Sequence, residues 1–280
     1  MLQFDPNQKA PAPRAASTVI ALRNTQHAIE VFCVLRHQKS SFLGGAVVFP
    51  GGKVDADDAD ETWKTLSTEP HPRTALMESA DASALALTVA AARESLEEAA
   101  LLPATQNLSA ADLLALRTEL SSSAFRGVVA AHKLRLAAHA LLPWARWVTP
   151  QAESRRFDAR FFLLPLPEGQ EGVHDNHETT MSFWSRPSDV LDRFMKGEIF
   201  LAPPTCRTLE LLAACNSVES AVLLADRQSL LPICPTFVPH DTAPFLSLPG
   251  DPTHEVPEKR VDGKTRFVLR NGRFVSEDPT

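Results

Sequence analysis

Three glutamates stand close together in the stretch "AARESLEEAALL", residues 91–102. Glu94, Glu97 and Glu98 have the spacing i, i+3, i+4, so they share one face if the stretch is helical. Carboxylate oxygens are the ligands that Mg²⁺ prefers, usually one or two of them together with a substrate phosphate. The same spacing is also typical of an ordinary solvent-exposed helix face, and the helix alone favours that plainer interpretation.

Two further features favour a metal site. Glu94 and Glu98 carry like charges at i, i+4, which destabilises a helix unless a cation lies between them. A short apolar strand and a glycine turn, "VVFPGGKVD", precede the helix once the intervening segment is set aside. We therefore expect the three glutamates to converge on one divalent cation beside the Phe49–Gly52 turn.

The element that carries the glutamates is predicted to be a helix over residues 84–102. Asp81 and Ser83 are candidate caps at its start, and Pro103 is expected to end it. The apolar residues recur at steps of three and four and form one stripe on the face away from the glutamates: Leu85, Val89, Ala92, Leu96 and Ala99.

The remaining elements mix strands and helices, which predicts an α/β or α+β fold. Residues 17–24 and 28–37 are expected to be strands joined by a turn near residues 24–27, followed by a short strand at residues 46–49. The further expected elements are helices in 109–120 and 126–142, strands in 155–166 and 179–186, a helix from Pro187 to Gly197, a helix capped by Thr205, and an Asn-Gly hairpin in 264–275.

The segment between the glycine turn and the helix, residues 53–83, is polar, acidic and interrupted by prolines. Such a composition is typical of a surface insertion or a long loop. We expect this insertion to pack outside the core and to border the mouth of the substrate site. Shortening Asp60–Glu78 would then change KM or selectivity more than thermal stability.

Composition limits the expected partners. Of the 280 residues 44% are hydrophobic and 22% are charged, and the net charge is −6, so neither nucleic acid nor a membrane is an expected partner. No stretch approaches the length of a membrane span, and residues 1–17 lack the apolar core of a secretory signal. Four cysteines without a CxxC pair suit reduced thiols, so an intracellular location is expected, cytoplasmic or organellar.

The segments "GGKVDADD" and "RESLEEAAL" together resemble the signature of the Nudix hydrolases. Gly52 matches the first glycine of the signature, and Asp58 falls where the family has its first glutamate. Residues 93–101 match the second half, through Arg93, Glu94, Glu97, Glu98 and Leu101. The sequence departs from the signature at Asp58, at Ser95 in place of a bulky residue, at Ala100 in place of the last glycine, and in the long spacer, residues 59–92.

The order of weaker matches along the chain is similar to one branch of that family, the coenzyme A and acyl-coenzyme A diphosphatases. These matches include "STVIALR", "GGAVVFPGGKVD", "LLPWARWVTP", "RRFDARFFLLPLPEGQ" and "HETTMSFWSRPSDVL". The resemblance implies a single Nudix domain over residues 1–280, built as an α/β/α sandwich with a mixed sheet. It also implies an insertion at about 56–82 and a helical insertion at about 104–142, and it leaves a homodimer possible.

The resemblance implies roles for the residues of the signature. The activity would be the hydrolysis of a diphosphate linkage in a small nucleoside diphosphate derivative, with Mg²⁺ or Mn²⁺ as the cofactor. Glu97 and Glu98 would be metal ligands, and Glu94 a ligand or the general base. Arg93, one turn from Glu97, would orient that carboxylate by a charge-assisted hydrogen bond. Whether Asp58 takes part stays open, because its side chain is short and it lies at the start of the insertion.

A second pattern, typical of enzymes that act on coenzyme A, covers residues 36–52. Arg36, Gly45, Phe49, Pro50, Gly51 and Gly52 match it, while Ser41 replaces its second arginine. Gly51 and Gly52 would let the backbone approach the site closely. Arg36 is the expected partner of the coenzyme A 3′-phosphate, with Lys39 or Arg156 as substitutes for the missing cation. The expected products are 3′,5′-ADP and (acyl)phosphopantetheine.

Two other functions remain open at this point. The chain could hydrolyse nucleotide sugars or other nucleoside diphosphates, or it could be a Nudix-fold sensor that binds a nucleotide without cutting it. The substitutions at Asp58, Ser95 and Ala100 keep the sensor possible, and the intact Arg93 and glutamates argue against it.

Several residues outside the signature are weaker candidates. Asp175 or Glu178 could add a carboxylate near the metal, whereas His174 and His177 are better explained by a polar loop than by a zinc site. The arginines that could meet phosphates are Arg155, Arg156 and Arg160, and Trp144 and Trp147 are expected to pack in the core.

Overall fold

The computed structural model describes residues 11–26, 28–38, 43–175 and 177–279. The strands are β1 (Arg14–Asn24), β2 (Ile29–Arg36), β3 (Val47–Val48), β4 (Gly51–Lys53), β5 (Leu142–Val148), β6 (Phe157–Pro165), β7 (Thr179–Ser185), β8 (Pro232–Ile233), β9 (Thr236–Val238), β10 (Phe245–Ser247), β11 (Arg266–Arg270) and β12 (Arg273–Glu277). The helices are α1 (Trp63–Leu66), α2 (Ala84–Ala99), α3 (Ala110–Glu119), α4 (Phe125–Ala131), α5 (Pro187–Lys196), α6 (Pro203–Leu212) and α7 (Val218–Ala225).

The larger sheet is mixed, as expected. Its strands follow the order β3-β2-β1-β6-β5-β8, with β4 paired to β1 and β7 paired to β2. The long central strands β1 and β6 are parallel, and the other named neighbours of β1 are antiparallel to it. A parallel pair needs a crossover connection, and the chain between β1 and β6 supplies it with α2.

Alternation along β1 shows how the helices cover this sheet. Val19 and Ala21 pack on the face that α2 covers, whereas Ile20 and Leu22 pack in the core that α5, α6 and α7 complete. Successive side chains of a strand point to opposite faces, so both faces of β1 are buried. The result is the α/β/α sandwich that the sequence predicted.

Residues beyond α7 form a second, four-stranded antiparallel sheet with the order β12-β11-β10-β9, here called the C-terminal sheet. The expected hairpin is present as β11 and β12, and Asn271 and Gly272 between them have positive φ angles of 49° and 76°. These angles suit a tight two-residue turn. The sequence analysis did not anticipate β9 and β10, because each has only three residues and no periodic pattern.

Helix α2 is more deeply buried than its apolar stripe suggested. The expected cap at Ser83 is confirmed, since its hydroxyl accepts the N–H of Ala86. The helix ends at Ala99 rather than near Leu102, because Ala100 adopts a left-handed conformation with φ 49°. Its sides pack against the sheet and against a cluster from α1, α3 and α4, so even Ala90 and Ala91 are fully buried.

The expectation that the insertion packs outside the core is wrong. Trp63 and Met77 are both 0% exposed. Trp63 belongs to the cluster around α2, α3 and α4, and its indole N–H donates to the carbonyl of Asp57 at 2.8 Å. Met77 packs with Val19 and Leu87. The segment consists of three short helical turns, which bury Asp58, Trp63, and Thr74 with Met77, a pattern too sparse to show as periodicity.

Two further boundaries differ from expectation. The helix expected over 126–142 is confined to α4, and the chain between α4 and β5 contains only one short 3-10 helix, Ala138–Ala140. The helix that Thr205 was expected to cap begins earlier, with Ala202 as its N-cap and Pro203 in its first turn, where a proline costs no hydrogen bond. Within the described residues, no helix is both long enough and apolar enough to cross a membrane.

Candidate functional site

Arg93, in the middle of α2, joins the carboxylates of the site. Its guanidinium donates two hydrogen bonds to Asp58, from Nε to Oδ1 at 3.0 Å and from Nη2 to Oδ2 at 2.9 Å. Nη1 donates to Glu94 at 2.7 Å and to Glu97 at 3.1 Å, and Nη2 also donates to the carbonyl of Lys53 at 2.8 Å. One arginine therefore fixes two carboxylates of its own helix to the insertion and to β4.

Asp58 belongs to the site as a partner of Arg93. Its side chain is 2% exposed, and its second role is to accept the N–H of Asp55 at 2.8 Å. The bidentate pair with Arg93 uses both carboxylate oxygens, an arrangement with fixed geometry. Asp58 therefore positions Arg93, and its short side chain suffices because the insertion brings it close to α2.

The glycine turn approaches α2 so closely that side chains are excluded there. The N–H of Gly51 donates to Glu98 at 3.0 Å. A Cβ atom at Gly52 would collide with the carboxylate of Glu94, and one at Gly51 would collide with the backbone of Ser17 and Thr18. Gly52 is therefore required by the contact between the turn and Glu94, and Gly51 by the contact between the turn and β1.

The carboxylates of α2 are held in an environment that disfavours their charge. Burial raises the pKa of Glu98 to about 8, against the lowering effect of the Gly51 N–H, and the charge of Glu94 raises it further. Burial likewise raises the pKa of Glu94 to about 7, although Arg93 opposes the shift. The pKa of Glu97 is also raised by burial, with Arg93 lowering it. Carboxylates that are buried near one another favour the binding of a proton or a cation.

The donor set fits a hard divalent cation. Glu94, Glu97 and Glu98 offer only oxygen, and the two most buried of them lie against the glycine turn with raised pKa values. Among the described residues, however, no three Asp, Glu, His or Cys side chains are already gathered into a metal cluster. Glu94 and Glu97 both accept a hydrogen bond from Nη1 of Arg93, whereas Glu98 accepts the N–H of Gly51, and the side chain of Glu97 is the most exposed of the three at 39%. The convergence of all three on one cation stays a prediction.

A cleft of about 360 Å³ opens in front of the glycine turn. Its polar end is formed by Arg36, Gly51, Gly52, Lys53, Glu94 and Glu178, with Phe49 beside them. Arg36 lies between two carboxylates, 4.0 Å from Glu98 and 3.5 Å from Glu178. The sequence analysis did not single out Lys53 as a cleft residue, because an isolated lysine after a glycine pair carries no positional signal.

The structure separates the two extra acidic candidates. Glu178 lines the cleft. Asp175 instead accepts the backbone N–H groups of Glu178 and Thr179 and the hydroxyl of Thr179 at 2.7 Å. Burial raises the pKa of Asp175, but these hydrogen bonds outweigh it and hold the pKa below its ordinary value. Asp175 therefore shapes the loop that presents Glu178, and His174 bonds the hydroxyl of Ser182 in the same polar loop.

The arginine candidates also separate. Arg155 lines the cleft. Arg156 donates to the carbonyls of Thr149 and Pro11, and Arg160 is fully buried and donates to the carbonyl of Met77, so neither lines the cleft. Lys39, the other proposed substitute, and Ser41 lie outside the described residues.

The departure from the Nudix signature at Ser95 has a local structural explanation. Ser95 is fully buried, and its hydroxyl lies 2.9 Å from the carbonyls of both Ala92 and Leu101. This bond to Leu101 ties the residue after the left-handed Ala100 back to the helix. A hydroxyl thus replaces a bulky side chain at this position and supports the turn that ends α2.

The two tryptophans are buried, as expected, at 1% for Trp144 and 3% for Trp147. Trp147 also lines the cleft, together with Phe157, Phe161 and Leu246. Sequence analysis missed this apolar wall, because residues from distant parts of the chain form it and no local motif marks it.

Comparison with known proteins agrees with this arrangement. A family model described as the NUDT19 Nudix domain matches residues 7–212. The acyl-coenzyme A diphosphatase NUDT19 of Xenopus laevis is 26% identical, over 90% of this chain and 81% of that protein. The protein of the same name from Homo sapiens is 32% identical, over 62% of this chain and 59% of its own length, so this alignment spans less than two thirds of that relative.

A solved structure shows the same fold. The crystal structure of a NUDIX hydrolase from Alicyclobacillus acidocaldarius superimposes with a TM-score of 0.63 at 29% sequence identity. The match covers 76% of this chain and 96% of that structure. Nearly all of the bacterial fold is therefore present here, and the remainder of this chain is additional.

Proposed function

The chain belongs to the NUDT19 Nudix domain family of Nudix hydrolases. From that membership we propose that it hydrolyses the diphosphate linkage of coenzyme A or of acyl-coenzyme A. Water oxygen would bond to one phosphorus while the bridging P–O bond breaks, giving 3′,5′-ADP and (acyl)phosphopantetheine. The observation that carries the proposal is the pair of buried carboxylates, Glu94 and Glu98, against the Gly51–Gly52 turn at the polar end of the cleft.

We assign the cation, Mg²⁺ or Mn²⁺, to the carboxylates of α2. Glu98 and Glu94 would be its ligands at the glycine turn, and Glu97 would join them by turning from Arg93. When bound, such a cation withdraws charge from phosphate oxygens and lowers the pKa of bound water. Displacing the proton from Glu98 would also remove the cost that burial imposes on its charge.

The protein groups would position the reactants. Arg93 holds Glu94 and Glu97 through one guanidinium, which is itself fixed by Asp58. Glu94, which also lines the cleft, has the alternative role of proton acceptor for the attacking water if Glu97 and Glu98 alone hold the cation. Catalysis of phosphoryl transfer depends mainly on such positioning and on neutralisation of charge.

Arg36 receives a different role from the one expected. Its guanidinium lies 4.0 Å from the carboxylate of Glu98, which itself contacts the glycine turn. We therefore assign it to the diphosphate oxygens instead of the 3′-phosphate. Replacement by alanine should lower kcat/KM on coenzyme A and on dephospho-coenzyme A about equally, by roughly tenfold to a hundredfold. A loss of kcat/KM on coenzyme A that is much larger than on dephospho-coenzyme A would show instead that Arg36 binds the 3′-phosphate.

The direct test is a substrate screen with MgCl2 or MnCl2, with products identified by mass spectrometry. The panel contains coenzyme A, acyl-coenzyme A thioesters, ADP-ribose and a nucleotide sugar, and Glu98→Gln serves as the inactive control. We expect 3′,5′-ADP from the coenzyme A compounds. Cleavage of the nucleotide sugar alone would refute the substrate class, and binding without cleavage of any compound would favour a sensor.

A further inference from the structure

Beyond its polar end, the cleft continues as an apolar trough, defined here by Trp147, Phe157, Ala159, Phe161, Pro204 and Leu246. None of these six side chains carries a charge, and Arg155 is the cation beside them. The cleft therefore changes from carboxylates and cations at the glycine turn to a mainly hydrocarbon lining in the trough.

The trough has walls from two separate sheets. Trp147, Ala159 and Phe161 lie on β5 and β6 of the larger sheet, and Pro204 lies in the first turn of α6. Leu246 lies on β10 of the C-terminal sheet. The family-model match ends at residue 212, so this last wall lies outside the part of the chain that the family model covers.

The C-terminal sheet is fixed firmly enough to hold that wall in place. Arg207 of α6 is 2% exposed and donates to the carbonyl of Lys264 and to the hydroxyl of Ser276 at 3.1 Å. A Cβ atom at Gly263 would collide with this guanidinium. Leu246 and Phe267 belong to the same buried cluster as Leu209 of α6. Polar and apolar contacts thus join the sheet to the helix whose first turn lines the trough.

We propose that the trough binds the acyl chain and the adjoining pantetheine arm of a thioester substrate, and that the C-terminal sheet sets which chain lengths fit. This inference rests on the proposed function. Hydrocarbon walls favour an alkyl chain, and each methylene group that becomes buried strengthens binding about fourfold.

The charged end of the substrate has a different place to bind. Arg36 also lines a second cavity of about 580 Å³, whose lining includes Arg193 and Glu198 as well as Leu35, Met181 and Ile199. A diphosphate held at Arg36 would point its nucleotide toward this second cavity, where Arg193 offers a cation, and its acyl arm toward the trough. Arg155 is an exposed cation at the trough. The substrate would lie the other way round if Arg155 bound the phosphates of the nucleotide.

Two variants fill the trough from opposite walls, Ala159→Phe from β6 and Leu246→Phe from the C-terminal sheet. Ala111→Phe is the matched control, because Ala111 is exposed on α3, away from the cleft. The measurement is kcat/KM on a series of acyl-coenzyme A thioesters of increasing chain length. We expect both trough variants to lower the ratio of long-chain to short-chain kcat/KM by at least about tenfold, and the control to keep it. Circular dichroism and thermal unfolding establish that each variant is folded.

The outcomes are distinct. A wild-type protein that cleaves neither coenzyme A nor any thioester would refute the proposed function and this inference together, and one that cleaves only free coenzyme A would refute this inference alone. Thioester cleavage with unchanged chain-length ratios in both folded trough variants would overturn the inference alone. A change in Ala159→Phe but not in folded Leu246→Phe would overturn the role of the C-terminal sheet. If Arg155→Gln weakened inhibition by 3′,5′-ADP, the trough would hold the nucleotide, and the direction of binding would be wrong.

Discussion

Two buried clusters in this protein combine arginine with carboxylate, and they differ in which charge is in excess. In the first, on β5 and β6, Asp158 receives two hydrogen bonds from Arg146 at 2.9 and 2.7 Å and lies 3.1 Å from Arg160. In the second, Arg93 alone meets Asp58, Glu94 and Glu97, with Glu98 close by.

The difference separates a structural cluster from a functional one. Asp158 is one carboxylate between two arginines. Arg160 also donates hydrogen bonds to the backbone carbonyls of Met77 and Asp158. The cluster on α2 has more carboxylates than its arginine can neutralise, and it faces the cleft. An excess of buried negative charge destabilises a fold unless a cation is added, so it supports the proposed cation site.

The largest effect on stability is expected at the first cluster. Asp158→Asn would leave Arg160, which is fully buried, without its counter-charge. Such a loss typically costs about 3–5 kcal/mol of unfolding free energy, and denaturant titration would measure it. Asp189→Asn is the matched control, because its ion pair with Arg186 is exposed, and it should leave the unfolding midpoint nearly unchanged. Equal midpoints for the two variants would show that Asp158 is not a structural support.

The second cluster should respond in activity instead. Glu98→Gln keeps an oxygen that can accept the Gly51 N–H but removes the charge, so kcat should fall by at least ~10². We expect the same for Glu97→Gln. Above about pH 8 the metal-free Glu98→Gln protein should be no less stable than the wild type, because the ionised Glu98 is disfavoured by burial.

Glu61→Gln is the control for this pair of variants, since Glu61 is an exposed carboxylate of the insertion. Its kcat should equal that of the wild type. Near-full activity of Glu97→Gln or Glu98→Gln at saturating Mg²⁺ would remove that residue from the metal site.

Dependence on pH sharpens the contrast further. The pKa values of Glu94, about 7, and Glu98, about 8, lie above the ordinary value of 4.5 because both side chains are buried. Between the ordinary value of 4.5 and the raised pKa values, the folded, metal-free protein keeps protons on Glu94 and Glu98 that the unfolded chain releases. The free energy of unfolding of the metal-free protein therefore falls as the pH rises through this range. A divalent cation replaces those protons. Its stabilising effect should therefore grow with pH, by up to about 1.4 kcal/mol per pH unit for each proton displaced.

Thermal unfolding measures this effect, with MgCl2 compared with NaCl at matched ionic strength. The shift in Tm caused by MgCl2 should be larger at about pH 8.5 than at about pH 6, and Glu98→Gln should reduce the difference. An equal shift at both pH values would mean that the cation does not bind at these carboxylates.

The smallest effect concerns the end of the helix that carries the second cluster. Ala100 has φ 49°, a left-handed conformation that glycine adopts without strain. Ala100→Gly should therefore stabilise the protein by about 0.5–1 kcal/mol, even though glycine makes the unfolded chain more flexible. The same change at exposed Ala115, in the interior of α3, should destabilise it by about 1 kcal/mol. Destabilisation by both would show that Ala100 is not strained.

The sequence by itself determined the local features of this protein. The spacing of Glu94, Glu97 and Glu98, the Gly51–Gly52 turn, the cap at Ser83 and the Asn271–Gly272 hairpin all depend on neighbours within a few residues. Backbone geometry and turn chemistry act over that range, so the mixed α/β order and the Nudix resemblance could be inferred from the chain.

Only the tertiary structure decided how these features combine. Asp58 and Arg93 are separated by 35 positions, and Leu246 reaches the cleft from a sheet that the periodicity did not reveal. Trp63 and Met77 are buried although the segment around them is polar. The raised pKa values of Glu94 and Glu98 follow from burial, which depends on everything packed around a side chain. Desolvation and long-range pairing are properties of the folded surroundings, and no local pattern encodes them.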